Sequence, residues 1–217
     1  MRTKFLVFLI ILCGLLQARM SHAMEFDFEP LSALCRVEVN LDLGFGRGSA
    51  RGSFSRMNGT LDFNARHPSK TKGQILIDSR SLHFGYPVVA FHAHIPEWLY
   101  SSRFPEISFS LDSLSEHSWH GRELRAVALG TLSIKGVARR TSIPLSVHYY
   151  RGERRKYEGK QGDLLRLDGM IILQRSQFDL AAGSQLDLVK EDITVRLSIT
   201  GASNRIRPLL PSRLFAK

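Results

Sequence analysis

Cysteine is scarce in this chain, with Cys13 and Cys35 the two examples among 217 residues. Cys13 falls in an N-terminal segment with the pattern of a cleaved leader, so a processed chain keeps Cys35 alone. A single cysteine cannot form an internal disulfide, and we expect Cys35 to be a small buried apolar group. The fold must therefore be stabilised by hydrophobic burial rather than by crosslinks.

Catalytic motifs are also lacking. The sequence contains no G-x-S-x-G, no H-E-x-x-H and no glycine-rich phosphate loop. His92 and His94, with His83 nearby, could ligate a metal, but no Cys, Asp or Glu at metal-ligand spacing completes the set. We predict a protein that is not an enzyme, has no metal site and requires no cofactor.

Long hydrophobic runs are confined to the N-terminus. Arg2 and Lys4 precede an apolar run at 5–16, and Ser21-His22-Ala23 has the small-x-small pattern of a cleavage site. The run of about 12 residues is shorter than the ~20 that a membrane-spanning helix needs. We predict a signal peptide over residues 1–23 and export to the periplasm; an uncleaved anchor is the alternative.

Acidic residues are outnumbered by basic ones, 20 to 30, which gives a formal charge of +10. Basic residues cluster at 151–160 and in a C-terminal tail, 203–217, where leucines and a phenylalanine lie between them. Two interpretations of the tail stay open: peripheral contact with an anionic membrane surface, or a frayed, soluble end. Nucleic-acid binding is not expected, since no binding motif is present.

Period-two alternation is abundant. In the stretch 127–149, VALGTLSIKGVARRTSIPLSVHY, Leu132 and Ile134 alternate with polar residues before Gly136, and Ile143 and Leu145 do so after it. This pattern predicts a hairpin of two half-buried strands. Similar alternation marks strands at 34–45, 73–78, 106–114, 164–173 and 193–199.

The breaks between strands predict turns and one helix. Asn58-Gly59 is the strongest short hairpin signal, and Pro96 suits the first position of a short helix at 96–100. Dense glycines at 44–52 indicate bends that curl a sheet. About eight short strands with little helix argue for an all-β barrel or sandwich in one domain, 24–202. A barrel of this size is either filled by side chains or holds one small ligand.

Residues 130–145, GTLSIKGVARRTSIPL, resemble the YceI-like family, whose motif is approximately G-x-L-x-I-x-G-V-T-K-P-V-x-L-P. Ala138 stands where that family usually has Thr, and Arg140 where it has Pro. Further blocks are similar to the family's F-P-x-I-x-F, R-S-D-F-G, G-x-F and closing-strand segments; they lie at 104–109, 175–179, 52–54 and 191–199. The resemblance covers about 36–200. Many members carry a His in the first hairpin, which this chain lacks; if that His touches ligand, the ligand contacts here differ.

The resemblance implies an elongated, lipocalin-like antiparallel barrel of about eight strands, with one or two short helices, around a long apolar channel. It further implies an exported carrier of a long-chain isoprenoid lipid, such as a polyisoprenoid or a quinone tail. The rival hypothesis is a ligand-free interaction or stress-protection module with a packed barrel. The oligomeric state stays open, a dimer included.

Candidate ligand-binding residues come from two places. Most are the inward residues of the strands; the others are aromatics in the segment 81–104, which forms either the mouth of the barrel or a plug in it. The set is Leu41, Leu43, Ile75, Ile77, Phe84, Phe91, Trp98, Ile107, Phe109, Leu111, Leu132, Ile134, Leu145, Val195 and Leu197.

Overall fold

A computed structural model of the protein describes residues 23–44, 48–180 and 189–206. The described strands are β1 (Met24–Asp27), β2 (Arg36–Leu43), β3 (Ser49–Phe54), β4 (Met57–Phe63), β5 (Lys72–Asp78), β6 (Leu82–Phe84), β7 (Glu106–His120), β8 (Glu123–Ile134), β9 (Val137–Tyr150), β10 (Leu164–Gln174) and β11 (Val189–Ala202). The helices are α1 (Pro87–Ala93) and α2 (Arg154–Glu158), with 3-10 turns at Glu29–Leu34, Pro68–Lys70, Ser79–Ser81 and Arg175–Phe178.

The strands close into an antiparallel barrel with eight positions. Three of these positions are each filled by two consecutive strands: β1 with β2, β3 with β4, and β5 with β6. The pairings show this, because β1 pairs with β4, β2 pairs with β3, and β3 also pairs with β6. β7 to β11 fill the other five. β11 then pairs with both β1 and β2, which closes the ring. The expected lipocalin-like barrel with two short helices is confirmed.

The central hairpin, β8–β9, is the one that alternation predicts. Its two-residue turn consists of Lys135 and Gly136, with φ of 52° and 78°. Two positive φ values give a turn whose twist matches that of the flanking strands. The inward residues of β8 are buried in strict alternation, and Leu132 and Ile134 are among them. In the neighbouring strand β7, a bulge after Leu111 shifts the alternation of buried residues by one position. Leu114 is therefore the next buried residue of β7.

The barrel interior is packed solidly at one end. Phe26, Phe28 and Phe63 are at most 1% exposed, and the rings of Phe26, Phe63 and Tyr149 lie 6.0–6.5 Å apart. The hydroxyl of Tyr149 donates to the buried carboxylate of Asp163, which also accepts from the Gly152 amide at 2.7 Å. Aromatic packing with satisfied polar groups therefore fills this end.

Two local predictions are wrong. The helix spans Pro87–Ala93, whereas 96–100 forms turns, and Tyr100 has a φ of 45°. Pro87 is the proline at the helix start, so the position rule holds for a different proline. Asn58 and Gly59 lie inside β4 rather than in a turn. Gly59 is needed there because a side chain would come within 2.2 Å of the Gln74 carbonyl oxygen.

Cys35 is buried, as expected, and its Sγ lies 3.6 Å from the carbonyl oxygen of Thr200. Burial raises the pKa of the Cys35 thiol above its ordinary value, and the hydrogen bond to Thr200 opposes this only in part. A neutral thiol is a poor nucleophile, so this cysteine acts as a small core residue.

The bends between β3 and β4 and between β5 and β6 are bonded to each other. Asp78 accepts from the guanidinium groups of Arg56 and Arg80, with N–O distances of 2.8 and 2.9 Å, and from the Arg80 amide. The Ser81 hydroxyl accepts from the Arg56 amide at 3.1 Å. These polar contacts fix the two bends side by side, where backbone groups leave the regular ladder.

Replacement of Gly130 should destabilise the barrel, because an added Cβ would lie 2.2 Å from the Ser110 carbonyl oxygen and 2.7 Å from the Phe109 ring. We expect Gly130→Ala to lower the free energy of unfolding by about 1–3 kcal/mol, measured by urea denaturation. Gly85→Ala is the matched control, since its Cβ would meet nothing within 4 Å. Equal stabilities for the two variants would contradict this account.

The carboxylate of Asp78 predicts a specific acid sensitivity. Hydrogen bonds from Arg80, with those from Arg56, lower its pKa to about 2, against about 3.9 for a free aspartate. Its contribution to stability is therefore complete above about pH 4 and lost as the pH falls towards 2. In Asp78→Asn, the drop in unfolding free energy between pH 5 and pH 2 should be smaller than in the wild type. Asp62→Asn, an exposed carboxylate on β4, is the control; if both variants follow the wild-type profile, the assignment fails.

Candidate ligand cavity

The end of the barrel opposite the aromatic cluster encloses an apolar cavity. All eight barrel positions contribute to its wall, as do α1 and the residues that follow it. The lining residues are Val37, Val39, Leu41, Leu43, Phe54, Met57, Ile75, Ile77, Leu82, Phe84, Val89, Ala93, Trp98, Leu99, Ile107, Phe109, Leu132, Ile134, Ile143, Ile171, Leu173, Leu180, Val189, Ile193, Val195, Leu197 and Ile199.

The cavity differs from the packed end in the shape of its side chains. Most of the lining residues are Val, Leu and Ile, whereas phenylalanine and tyrosine rings pack against one another at the other end. No charged residue is among the 27 that line it. Such a wall offers dispersion contacts and nothing to solvate an ion.

The space inside is large for a protein interior. The volume that the centre of a water molecule can occupy is about 180 Å³. All of the space between the lining atoms, including the part open to solvent, amounts to about 1300 Å³. A single water needs only ~10–15 Å³ on a comparable measure, and an apolar cavity of ~150 Å³ is enough to bind benzene. The enclosed part therefore accommodates a short hydrocarbon segment.

Twelve of the fifteen predicted residues lie on the cavity wall: Leu41, Leu43, Ile75, Ile77, Phe84, Trp98, Ile107, Phe109, Leu132, Ile134, Val195 and Leu197. Their role in ligand binding stays a prediction. Three lie elsewhere. Phe91 is 69% exposed on the outer side of α1. Leu111 and Leu145 point inward but pack against the aromatic end of the core.

Sequence reasoning missed lining residues that do not follow strand alternation. Val89 and Ala93 lie on α1, a helix that was expected further along the chain. Met57 follows the bend between β3 and β4, and Leu180 lies beyond the Arg175–Phe178 turn. The spacing of Val89 and Ala93, four residues apart after a proline, is the signal that could have identified one face of a helix.

One side of the cavity is formed by the connection between β6 and β7, residues 85–105, which we name the cap segment. β5 pairs with β7, whereas β6 pairs with β3 in the described sheet, so the ladder is not continuous between β6 and β7. The cap segment lies at this gap and presents Val89, Ala93 and Trp98 to the cavity. Its opposite face exposes Val88 and Phe91 to solvent.

His94 holds the cap segment to the barrel. Its Nε2 lies 2.9 Å from the carbonyl oxygen of Leu82 and its Nδ1 lies 2.8 Å from the hydroxyl of Ser101. Because a carbonyl only accepts, Nε2–H donates to Leu82 and Nδ1 accepts from Ser101. Both ring nitrogens are thereby occupied, and His94 has a structural bond set rather than a free metal-binding nitrogen.

Several polar and glycine residues of the motif blocks meet at this end of the barrel, outside the cavity wall. A side chain at Gly136 would come within 2.9 Å of the Phe104 ring. The Lys135 ammonium donates to the Asp179 carbonyl oxygen at 2.5 Å, and Arg139 donates to that of Gln177 at 3.1 Å. These contacts join the β8–β9 hairpin to the turn that follows β10.

Glu191 anchors the same turn from β11. It accepts from the hydroxyl of Ser176 and from the Ser176 amide, at 2.9 Å for the amide. The Ser176 hydroxyl, more than any other group, lowers the pKa of the Glu191 carboxyl below its ordinary value, and Arg175 adds to the effect. The carboxylate is therefore charged and structural.

Across the described residues, no group of three or more His, Cys, Asp or Glu side chains could hold a metal ion. Within the same ranges, no helix has the length and hydropathy needed to cross a membrane. The polar clusters found near the cavity are internal to the protein frame, and the cavity itself presents hydrocarbon.

A closed eight-stranded barrel with an apolar cavity defines a lipocalin-like class of protein. The YceI-like domain model matches residues 33–201, and the chain belongs to that family. Comparison with curated proteins finds no match.

Solved structures confirm the fold. Burkholderia cenocepacia BcnA is 18% identical, with a TM-score of 0.63 over 78% of this chain and 97% of that one. A polyisoprenoid binding domain from Saccharophagus degradans, implicated in plant cell wall breakdown, is 10% identical, with a TM-score of 0.58 over 83% and 99%. A Campylobacter jejuni YCEI protein is 15% identical, with a TM-score of 0.58 over 71% and 85%.

Loss of the His94 contacts should loosen the cap segment alone. In His94→Ala, the Leu82 carbonyl and the buried Ser101 hydroxyl lose their partner, so we expect amide hydrogen exchange in 85–105 to be about 5–100-fold faster. Exchange in β8 and β9 should be unchanged. His92→Ala is the control, because the contacts of His92 within the described residues are to its own helix, at the Val88 carbonyl oxygen and the Phe91 ring. Uniform acceleration across the whole barrel, or none, would contradict a local anchoring role.

Proposed function

We propose that this protein is an exported carrier that binds a long apolar chain, a polyisoprenoid or similar lipid, inside its barrel. The cavity is the observation that supports this most directly, because uncharged branched side chains surround a space that hydrocarbon can enter. Membership of the YceI-like family and the similarity to a polyisoprenoid binding domain support the same ligand class. The rival hypothesis, a ligand-free module with a packed barrel, requires an interior without such a space.

Hydrophobic transfer is sufficient to drive binding. An isoprene unit has five carbons, and at ~0.8 kcal/mol per buried CH₂ it contributes on the order of 3–4 kcal/mol before ordering costs. Two or three buried units contribute about 6–12 kcal/mol gross, and binding in the micromolar to nanomolar range requires about 8–12 kcal/mol net, so each further buried unit helps to offset the ordering costs. The protein needs no catalytic group for this task, and a binding rather than catalytic role is the one proposed.

The size of the cavity limits how the chain is held. About 180 Å³ is below the ~300–1000 Å³ of most small-molecule pockets. A short segment of the lipid occupies the enclosed part, and the remainder extends through the opening or displaces lining side chains. Affinity should therefore rise with chain length over the first units and then level off.

Export and membrane contact rest on segments outside the described residues. The predicted signal peptide, 1–23, lies almost wholly in the undescribed residues 1–22, and most of the basic tail lies in 207–217. The proposal includes a periplasmic location and docking of the tail on a membrane. It leaves the oligomeric state open, a dimer included. Liposome co-sedimentation with and without residues 203–217 tests the tail; equal binding removes it from the proposal.

The ligand can be sought directly. Protein purified without detergent from its own host, extracted with organic solvent, should release a lipid with an isoprenoid mass ladder in stoichiometric amount. Heat-denatured and refolded protein, loaded with isoprenoids of increasing length, gives the affinity series. A protein that is repeatedly empty and binds none of these chains would overturn the carrier hypothesis.

A pair of adjacent substitutions tests whether the ligand lies in the barrel. Ile171 lines the cavity, whereas Ile172 is 58% exposed on the outside of the same strand, since neighbouring residues of a strand face opposite sides. Ile171→Trp should fill part of the cavity and weaken isoprenoid binding at least about tenfold, by loss of roughly two buried CH₂ groups or more. Ile172→Trp should leave it unchanged. Equal affinities, with both variants folded by circular dichroism, would place the ligand elsewhere.

A further inference from the structure

Trp98 differs from every other residue on the cavity wall. Of the 27 lining residues, it alone carries a side-chain N–H or O–H group. The residue is 5% exposed, and its indole Nε1 has no hydrogen-bond partner among the described residues. A buried donor left without a partner costs about 1–3 kcal/mol, so its position at an otherwise apolar wall calls for an acceptor.

The cap segment holds this donor in place. The Trp98 amide donates to the carbonyl oxygen of Ile95 at 3.0 Å, and the Leu99 amide donates back to that of Ala93 at 3.2 Å. His94 ties the same turn to Leu82 and Ser101. These bonds fix the backbone at Trp98, and burial restricts its indole, before any ligand binds, which lowers the ordering cost of using the donor.

We propose that the Trp98 Nε1–H donates a hydrogen bond to an acceptor oxygen on the bound lipid. The inference rests on the proposed function and specifies its ligand: an apolar chain that carries a carbonyl-type oxygen, as in a ketone, quinone or ester, at the end held beneath the cap segment.

The wall also discriminates between kinds of oxygen. Apart from the weakly accepting sulfur of Met57, the lining side chains offer no acceptor. A carbonyl oxygen accepts from Trp98 and leaves no donor behind, whereas an alcohol or amine buried there keeps an N–H or O–H without a partner. The cavity accordingly prefers a carbonyl-bearing chain to the corresponding alcohol.

Matched probes separate this hydrogen bond from general apolar binding. Farnesylacetone, a methyl ketone on an isoprenoid chain, is compared with the hydrocarbon in which a methylene replaces the carbonyl, both in competition with diphenylhexatriene. Trp98→Phe keeps an aromatic ring and removes the N–H. We expect it to weaken ketone binding about fivefold or more, while hydrocarbon binding changes less than about twofold. Phe84→Leu, which alters the wall without removing a donor, should weaken both probes alike.

A spectroscopic readout avoids dependence on the fold of the variant. The chain has two tryptophans, so the indole ¹H–¹⁵N resonance of Trp98 is assigned by its loss in Trp98→Phe, and that of Trp119 serves as reference. The ketone, and not the hydrocarbon, should shift the Trp98 proton downfield. An unshifted signal, or equal loss of both probes in Trp98→Phe, overturns the hydrogen bond and leaves the carrier function standing. Failure of both probes to bind the wild-type protein overturns the carrier function itself.

Discussion

The width of an eight-stranded antiparallel ring is fixed by strand spacing and tilt, so the side chains along its axis decide whether it is solid or hollow. Here the choice differs between the two ends. The rings of Phe26, Phe63 and Tyr149 pack against one another at one end and fill it. At the other end branched aliphatic residues line the wall without meeting, and the cap segment covers what remains. The apolar cavity and the isolated position of the Trp98 indole in its wall both follow from this uneven filling.

Some residues of the blocks that resemble the family act on the frame around the cavity, whereas others, Leu132 and Ile134 among them, lie on its wall. Gly136 makes room for the Phe104 ring, Lys135 and Asp179 join hairpin to turn, and Glu191 receives both donors of Ser176. None of these six residues lines the cavity. The blocks that resemble the family therefore contribute both to the polar frame and to the apolar wall.

Sequence patterns located twelve of the 27 residues on the cavity wall and missed the others. Leu132, Ile134, Ile75 and Ile77 follow from alternation, because a strand in a closed barrel has one face inside. Phe91 does not lie on the wall, since a helix of two turns exposes one face and α1 turns that residue outward. Asn58-Gly59 shows the same limit: its turn preference is overridden by pairing with β5, which requires glycine for close approach rather than for a turn.

By itself the sequence determined the class of fold, the central hairpin and the apolar character of the interior, because period two and turn chemistry are local properties. It also determined that one cysteine could not crosslink the described barrel. Only the tertiary structure decided which inward residues meet and which leave space, since filling depends on the summed volume of side chains from strands far apart in the chain. The same reason explains why the isolated indole donor of Trp98 could not be predicted from the sequence. Its N–H lacks a neighbouring polar group only because all eight barrel positions place apolar side chains around the cavity.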